Sequence, residues 1–283
     1  MKPARSAIAR CIRRFITLAA AAWFLSNGEI RADDPASATW HSELESAVTG
    51  GNTDDGGTST SFSASAWRQW ATGWPDTYWL TGLQLDHYTF ADGPIPRLQD
   101  YAALLGLQYR RNGETAAQLT LRPGYYFAQH ARRDAWDIPV DCVTGIPFTD
   151  TFNGVIGFSS GRFYHHPLPI FGLVWDPAPH WHCQLVYPEP ALEYAASSTL
   201  TLRLAGELVG GGFLNDTPSG GTTPVEYSSY RVGLGVTQAV TPECKLRLMV
   251  GVEAMRDFDA FRSTGRTHGG AAGYIGISAT LSR

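Results

Sequence analysis

The chain has 283 residues, a formal net charge of −4 and 17% charged residues, against about 25% in an average globular protein. Aromatic residues make up 12%, and glycines number 30. This balance excludes a disordered acidic tail, a coiled coil and a nucleic-acid-binding domain, which needs a basic surplus.

Residues 1–14 carry Lys2, Arg5, Arg10, Arg13 and Arg14 and no acid, and an apolar run from Phe15 to Leu25 comes next. That run is too short to span a bilayer as a helix. A basic start, a short apolar centre and Ala32 before Asp33 and Asp34 predict a secretory signal peptide over 1–32, cleaved near Ala32. One domain over 33–283 remains. Cleavage removes six of the 22 bases and one of the 26 acids, leaving a net charge of −9. Cys142, Cys183 and Cys244 stay with the mature chain. An odd number in an exported protein argues against a disulfide framework and leaves one bridge open.

The mature chain alternates with period two, the signature of strands. In 99–110, Tyr101, Ala103, Leu105, Leu107 and Tyr109 share a face, opposite Asp100, Gly106, Gln108 and Arg110. Asn112-Gly113 is a hairpin signal, and Ala117, Leu119 and Leu121 then oppose Gln118, Thr120 and Arg122. Leu200, Leu202, Leu204 and Leu208 oppose Thr201, Arg203 and Glu207. Tyr230, Val232, Leu234 and Val236 oppose Tyr227, Ser229 and Arg231. Leu246, Leu248, Val250 and Val252 oppose Lys245, Arg247 and Glu253.

Twelve strands are predicted, near 40–49, 58–70, 77–90, 99–110, 115–128, 152–164, 168–175, 181–195, 199–213, 225–239, 243–256 and 271–282. Many reach ten residues, the length of a transmembrane β-strand. Long connections alternate with short ones, as outer loops and periplasmic turns do in an outer-membrane barrel. The parity requires Tyr187-Pro-Glu-Pro190 to lie within one bent strand. The 129–151 connection reads as a long loop, either an inward plug or an outward receptor surface. Trp40, Trp70, Trp74, Trp79, Tyr101, Tyr109, Trp175 and Trp181 gather near strand ends, where a membrane interface wants amphipathic rings. The expected fold is all-β: an antiparallel transmembrane β-barrel of about 12 strands, within a range of 8–14. A soluble or surface-attached β-sandwich is the alternative, because sandwiches alternate too.

Pro123-Gly-Tyr-Tyr, Gly154-Val-Ile-Gly157, Pro167-Leu-Pro-Ile-Phe-Gly-Leu-Val-Trp-Asp-Pro177, Leu185-Val-Tyr-Pro188, Leu192-Glu-Tyr194, Gly210-Gly-Gly-Phe213 and Tyr230-Arg-Val-Gly-Leu-Gly235 occur in that order. This series resembles an uncharacterised family of bacterial outer-membrane β-barrel-like domains. The resemblance implies an envelope barrel and brings no activity, cofactor or catalytic residue. The C-terminus departs from the aromatic ending common among such barrels, closing on Thr280-Leu-Ser-Arg283.

Arg122, Arg203, Glu207, Arg231, Lys245, Arg247 and Glu253 are the candidate lumen residues. Ions facing into a barrel must pair or meet water. They form either a charged constriction for small polar or anionic solutes or a salt-bridged plug. His180 and His182 share a face while Cys183 points away, which is too few ligands for zinc. His165 and His166 point apart. Gly50–Gly57 lacks calcium-loop spacing and reads as a solvated tip. Serines with His41 and His268 keep a membrane-embedded lipid hydrolase as a third reading, although no diagnostic spacing accompanies them. The main expectation is a non-enzymatic outer-membrane barrel, structural or a narrow pore, without metal or cofactor. Its partners would be membrane lipid, the barrel-assembly machinery and small polar or anionic solutes, with no nucleic acid.

Overall fold

The computed structural model describes residues 39–50, 58–91, 95–111, 114–217, 220–260 and 265–283. The expected signal peptide over 1–32, most of the 50–57 loop and the Asn112-Gly113 turn lie outside the described residues.

The strand segments are β1 (Trp40–Thr49), β2 (Ser59–Ala71), β3 (Thr77–Phe90), β4 (Arg97–Arg111), β5 (Glu114–Leu121), β6 (Gly124–Ala128), β7 (Trp136–Asp137), β8 (Val140–Thr149) and β9 (Phe152–Ser160). They continue with β10 (Leu168–Ala178), β11 (Trp181–Tyr187), β12 (Ala191–Ala195), β13 (Leu200–Asp216), β14 (Thr222–Ala239), β15 (Cys244–Ala260), β16 (Gly265–Gly269) and β17 (Ala272–Ser282). Some are two halves of one barrel strand. β5 and β6 both pair with β4, β8 and β7 pair with them in turn, and β16 and β17 both pair with β15. Merged, they form a 14-strand antiparallel wall. It closes where β1 pairs with β17, from His41↔Ser282 to Thr49↔Tyr274.

The wall has two strands more than the sequence predicts. The 129–151 segment contains β7 and β8, which carry the wall, so it is neither plug nor receptor loop. Tyr187-Pro-Glu-Pro190 is a turn between β11 and β12, with Glu189 N bonded to Val186 O at 2.8 Å. Each added strand inverts the direction expected of all later strands, and together the two inversions cancel. Both described termini therefore lie at the short-turn end as expected, whereas the connections at 161–167 and 179–180 exchange ends.

The single closed sheet sets the sandwich aside, and exposure shows which face meets lipid. A soluble sheet buries its apolar face, yet Leu83 is 68% and Leu234 64% exposed. The opposite face of the same strands is the buried one: on β14, Tyr227, Ser229 and Arg231 are covered while Val232, Leu234 and Val236 are not. Polar residues inside and aliphatics outside are the pattern of a barrel solvated by acyl chains. Trp40, Trp70, Trp74, Trp79, Tyr109, Trp175 and Trp181 are exposed at the short-turn end, and Tyr101, Tyr125 and Trp136 toward the other. These are the two interfacial girdles. Cys142, Cys183 and Cys244 are free thiols.

At the outer end the wall takes a short cut. Phe127 of β6 pairs in parallel with Leu214 of β13, although five barrel strands, from β7–β8 through β12, separate them in the sheet. Above that bridge the circumference is shorter by those strands. The 161–167 connection is wedged against it. Phe163 is 2% exposed, Arg162 N donates to Asp137 Oδ2 at 2.8 Å, and His165 N donates to Glu226 Oε2 at 2.8 Å. A Cβ on Gly212 would overlap the Phe163 carbonyl. Gly212→Val is therefore expected to lower stability by about 1–3 kcal/mol through overpacking, read as an earlier urea midpoint of the refolded barrel.

Candidate lumen site

The narrowed outer end is filled by side chains. Phe90 from β3, Tyr227 from β14 and Phe258 from β15 form a triangle with every pair of ring centroids 4.9 Å apart. Tyr88 adds contacts to Tyr227 at 5.6 Å and Phe213 at 6.3 Å. β3 lies across the lumen from β13 and β14, so these contacts span the bore rather than run along the wall. Leu98, Ala102, Tyr126 and Val225 complete the cluster. Edge-on aromatic contacts at such spacing add about 0.5–1.5 kcal/mol each beyond burial.

A charged row lies directly beneath. The strand register sets Glu207, Arg231 and Glu253 side by side on β13, β14 and β15. Arg231 Nε donates to Glu253 Oε2 at 2.9 Å, Nη1 approaches Glu207 Oε1 at 3.3 Å and Glu45 Oε1 at 3.7 Å, and Nη2 donates to Ser61 Oγ at 2.9 Å. Glu253, 0% exposed, also accepts from Thr49 Oγ1 at 2.5 Å and Tyr227 OH at 3.1 Å. The Arg231 guanidinium lies 5.5 Å from the Tyr274 ring centre. One guanidinium thus faces three carboxylates. A buried charge pair holds only when its remaining lone pairs and protons are satisfied, and Thr49, Ser61 and Tyr227 supply those bonds.

A second group sits on the far wall. Arg122 pairs with Asp141: Nη2 donates to Oδ1 at 3.1 Å, and Nε lies 2.9 Å from Oδ2. Nearby, Asp86 and Asp100 stand directly opposite each other in the β3–β4 register, both buried, and Gln84 Nε2 donates to Asp86 Oδ2 at 2.6 Å. Toward the short-turn end, Arg203 Nη1 donates to Glu193 Oε1 at 2.7 Å, and Arg247 Nε to Thr237 Oγ1 at 3.4 Å. Lys245 is exposed at the rim on the same side of β15 as Arg247. Gln69, 1% exposed, bonds Gln108 and accepts from Arg110 Nη2 at 2.9 Å and Thr39 Oγ1 at 3.1 Å.

Of the seven candidates, Glu207, Arg231 and Glu253 meet in one network, Arg122 and Arg203 each hold a separate carboxylate, and Arg247 and Lys245 stand nearer the rim. Sequence reading named neither the acids Glu45, Asp141 and Glu193 nor the aromatic cluster. Alternation carried part of the signal, since Tyr227 and Phe213 share the parity of Arg231 and Glu207. The histidines lie elsewhere. His182 pairs with Asp176 at 2.7 Å, His268 with Asp257 at 2.5 Å, and His41 stacks on Trp67 at 4.1 Å.

No family model and no curated protein matches the chain. Among solved structures it is similar to an outer membrane channel from Pseudomonas putida F1, at 9% identity and a TM-score of 0.48, over 90% of this chain and 98% of that one. It is also similar to a mutant of the TodX monoaromatic hydrocarbon channel, at 9% identity and a TM-score of 0.34, over 88% of this chain and 90% of that one. A third likeness is the β domain of the Bordetella autotransporter BrkA, at 8% identity and a TM-score of 0.36, over 86% and 98%. On its own geometry, a closed antiparallel wall with an apolar exterior between two aromatic girdles, the protein is an outer-membrane β-barrel.

Proposed function

We propose that the barrel is a narrow, non-enzymatic pore for small polar solutes, closed in this structure by the aromatic cluster at its outer end. The observation that carries this reading is the Glu45–Glu207–Arg231–Glu253 group. Glu207 and Glu45 are part-exposed beside the Arg231 guanidinium, so the group combines a paired ion with carboxylates that still reach the bore, and fixed charge lining a bore is a means by which pores select. Three carboxylates around one guanidinium favour cations and zwitterions over free anions. Arg122, Arg203, Arg247 and Lys245 extend the charged lining above and below. Export through the 1–32 signal, cleavage near Ala32 and insertion by the barrel-assembly machinery belong to the same reading.

The test is reconstitution of the mature chain into planar bilayers, with reversal potentials measured across a salt gradient. Cation-preferring openings are expected, and Glu207→Gln should move the reversal potential toward anions. Selectivity that ignores Glu207, in a variant that still folds, would remove the constriction. A chain that stays folded and soluble without detergent would remove the pore altogether.

A further inference from the structure

The basic residues of the lumen have carboxylate partners or polar neighbours, but Arg68 is on the other face. The inward residues of β2 are fixed by Ser61, which bonds Arg231, and by Gln69, which bonds Gln108. Arg68 shares the opposite face with Phe62, Ala64, Ala66 and Trp70, on the side that meets lipid. Its guanidinium lies 3.9 Å from the Trp70 ring centre and 5.6 Å from that of Trp40, its direct cross-strand neighbour. Trp70 is itself held in place, its Nε1 donating to Thr81 Oγ1 at 2.8 Å. The Nε of Arg68 is buried without a hydrogen-bond partner, and among the described residues the side chain has no ion pair.

A cation on the lipid face is costly unless it reaches an interface and meets an anion. Arg68 stands in the short-turn girdle among Trp40, Trp70 and Trp79, at the depth where headgroups begin. Two indole faces orient the guanidinium and shield it from water, and a planar guanidinium presents its outer N–H groups as a fork that matches phosphate oxygens. We propose that Arg68, framed by Trp40 and Trp70, binds the phosphate of a phospholipid in the inner, periplasmic leaflet. The flanking apolar residues of β1 and β2 would take the acyl chains.

The experiment uses the refolded mature barrel, delipidated in a neutral detergent and titrated with a phosphatidylglycerol while bound lipid is counted by native mass spectrometry. Parallel titrations use a diacylglycerol with the same chains and inorganic phosphate. Wild type should retain the phospholipid about fivefold more tightly than Arg68→Gln, the gain of one basic residue at an anionic surface. The diacylglycerol should not distinguish the two proteins, and inorganic phosphate should not compete at equal concentration. Trp70→Leu, which keeps the charge and removes the larger ring contact, should weaken retention by less than Arg68→Gln. Heat-modifiable migration on gels checks that each variant is folded. Equal phospholipid retention by folded wild type and Arg68→Gln would overturn the site. Discrimination of the diacylglycerol, or competition by free phosphate, would overturn its assignment to a lipid phosphate.

Discussion

Arg231→Ala is expected to lower the stability of the barrel by about 3–5 kcal/mol, the cost of leaving buried charge without its partner. Glu253 is fully enclosed, and Glu207 and Glu45 look at the same guanidinium. Removing the cation leaves three carboxylates facing each other, with the hydroxyls of Thr49 and Tyr227 as the remaining donors to Glu253. Unfolding in urea from detergent or vesicles, followed by gel migration, measures the loss. A second variant separates charge from packing. Arg231→Met with Glu253→Leu removes both ions and keeps the volume, so it should recover much of the loss, because a well-packed apolar pair often equals a buried salt bridge. If the single change costs less than about 1 kcal/mol, in the range of an exposed pair, water reaches this row and the bore is wet at that level.

The second large effect concerns the plug. Phe90→Ala together with Phe258→Ala removes two corners of the aromatic triangle and should convert the brief openings expected of the wild type into stable, larger conductance steps. The change acts at the shortened end of the wall, where Phe90 and Phe258 belong to the buried cluster. It also has a cost: each Phe→Ala in a packed core removes about 3–5 kcal/mol when the cavity stays dry. Here water can enter from the outer end, so the measured loss should fall below the sum. Single-channel recording on the folded double variant decides the matter. A silent variant would place the closure at the charged row or at the Gln69–Gln108 lattice instead.

The wall was legible because its signal is local. Strands such as β13, β14 and β15 alternate cleanly over long runs, and the side assigned to Arg203, Arg231 and Arg247 follows from parity alone. The missed strands have separate causes. β8 contains Gly145 and Pro147, which make a strand read as loop, whereas Pro188 and Pro190 do mark the turn between β11 and β12, a signal overridden by the parity of long and short connections. The bulge in β15 is equally hidden. Met255 adopts φ 53°, and the register with β14 shifts between Ser228 and Tyr230, so Glu253 and Phe258 both face inward although their separation is odd. No periodicity predicts such a step. The cluster of Phe90, Tyr227 and Phe258 was out of reach for another reason: its members come from opposite walls, and their meeting depends on how tightly the barrel closes.

The bridge between β6 and β13 obeys a counting rule. A ring in which every neighbour runs antiparallel must have an even number of members. The full wall has fourteen and satisfies this. Leaving out five strands turns an even ring into an odd one, so at least one contact in the shortened ring is forced to be parallel. The Phe127–Leu214 pair is that contact, and it extends for a single residue pair because β6 already pairs with β7 at Gly124 and Tyr125 and ends at Ala128. Related barrels that lengthen or shorten this sector while keeping the bridge must therefore do so by whole hairpins, two strands at a time.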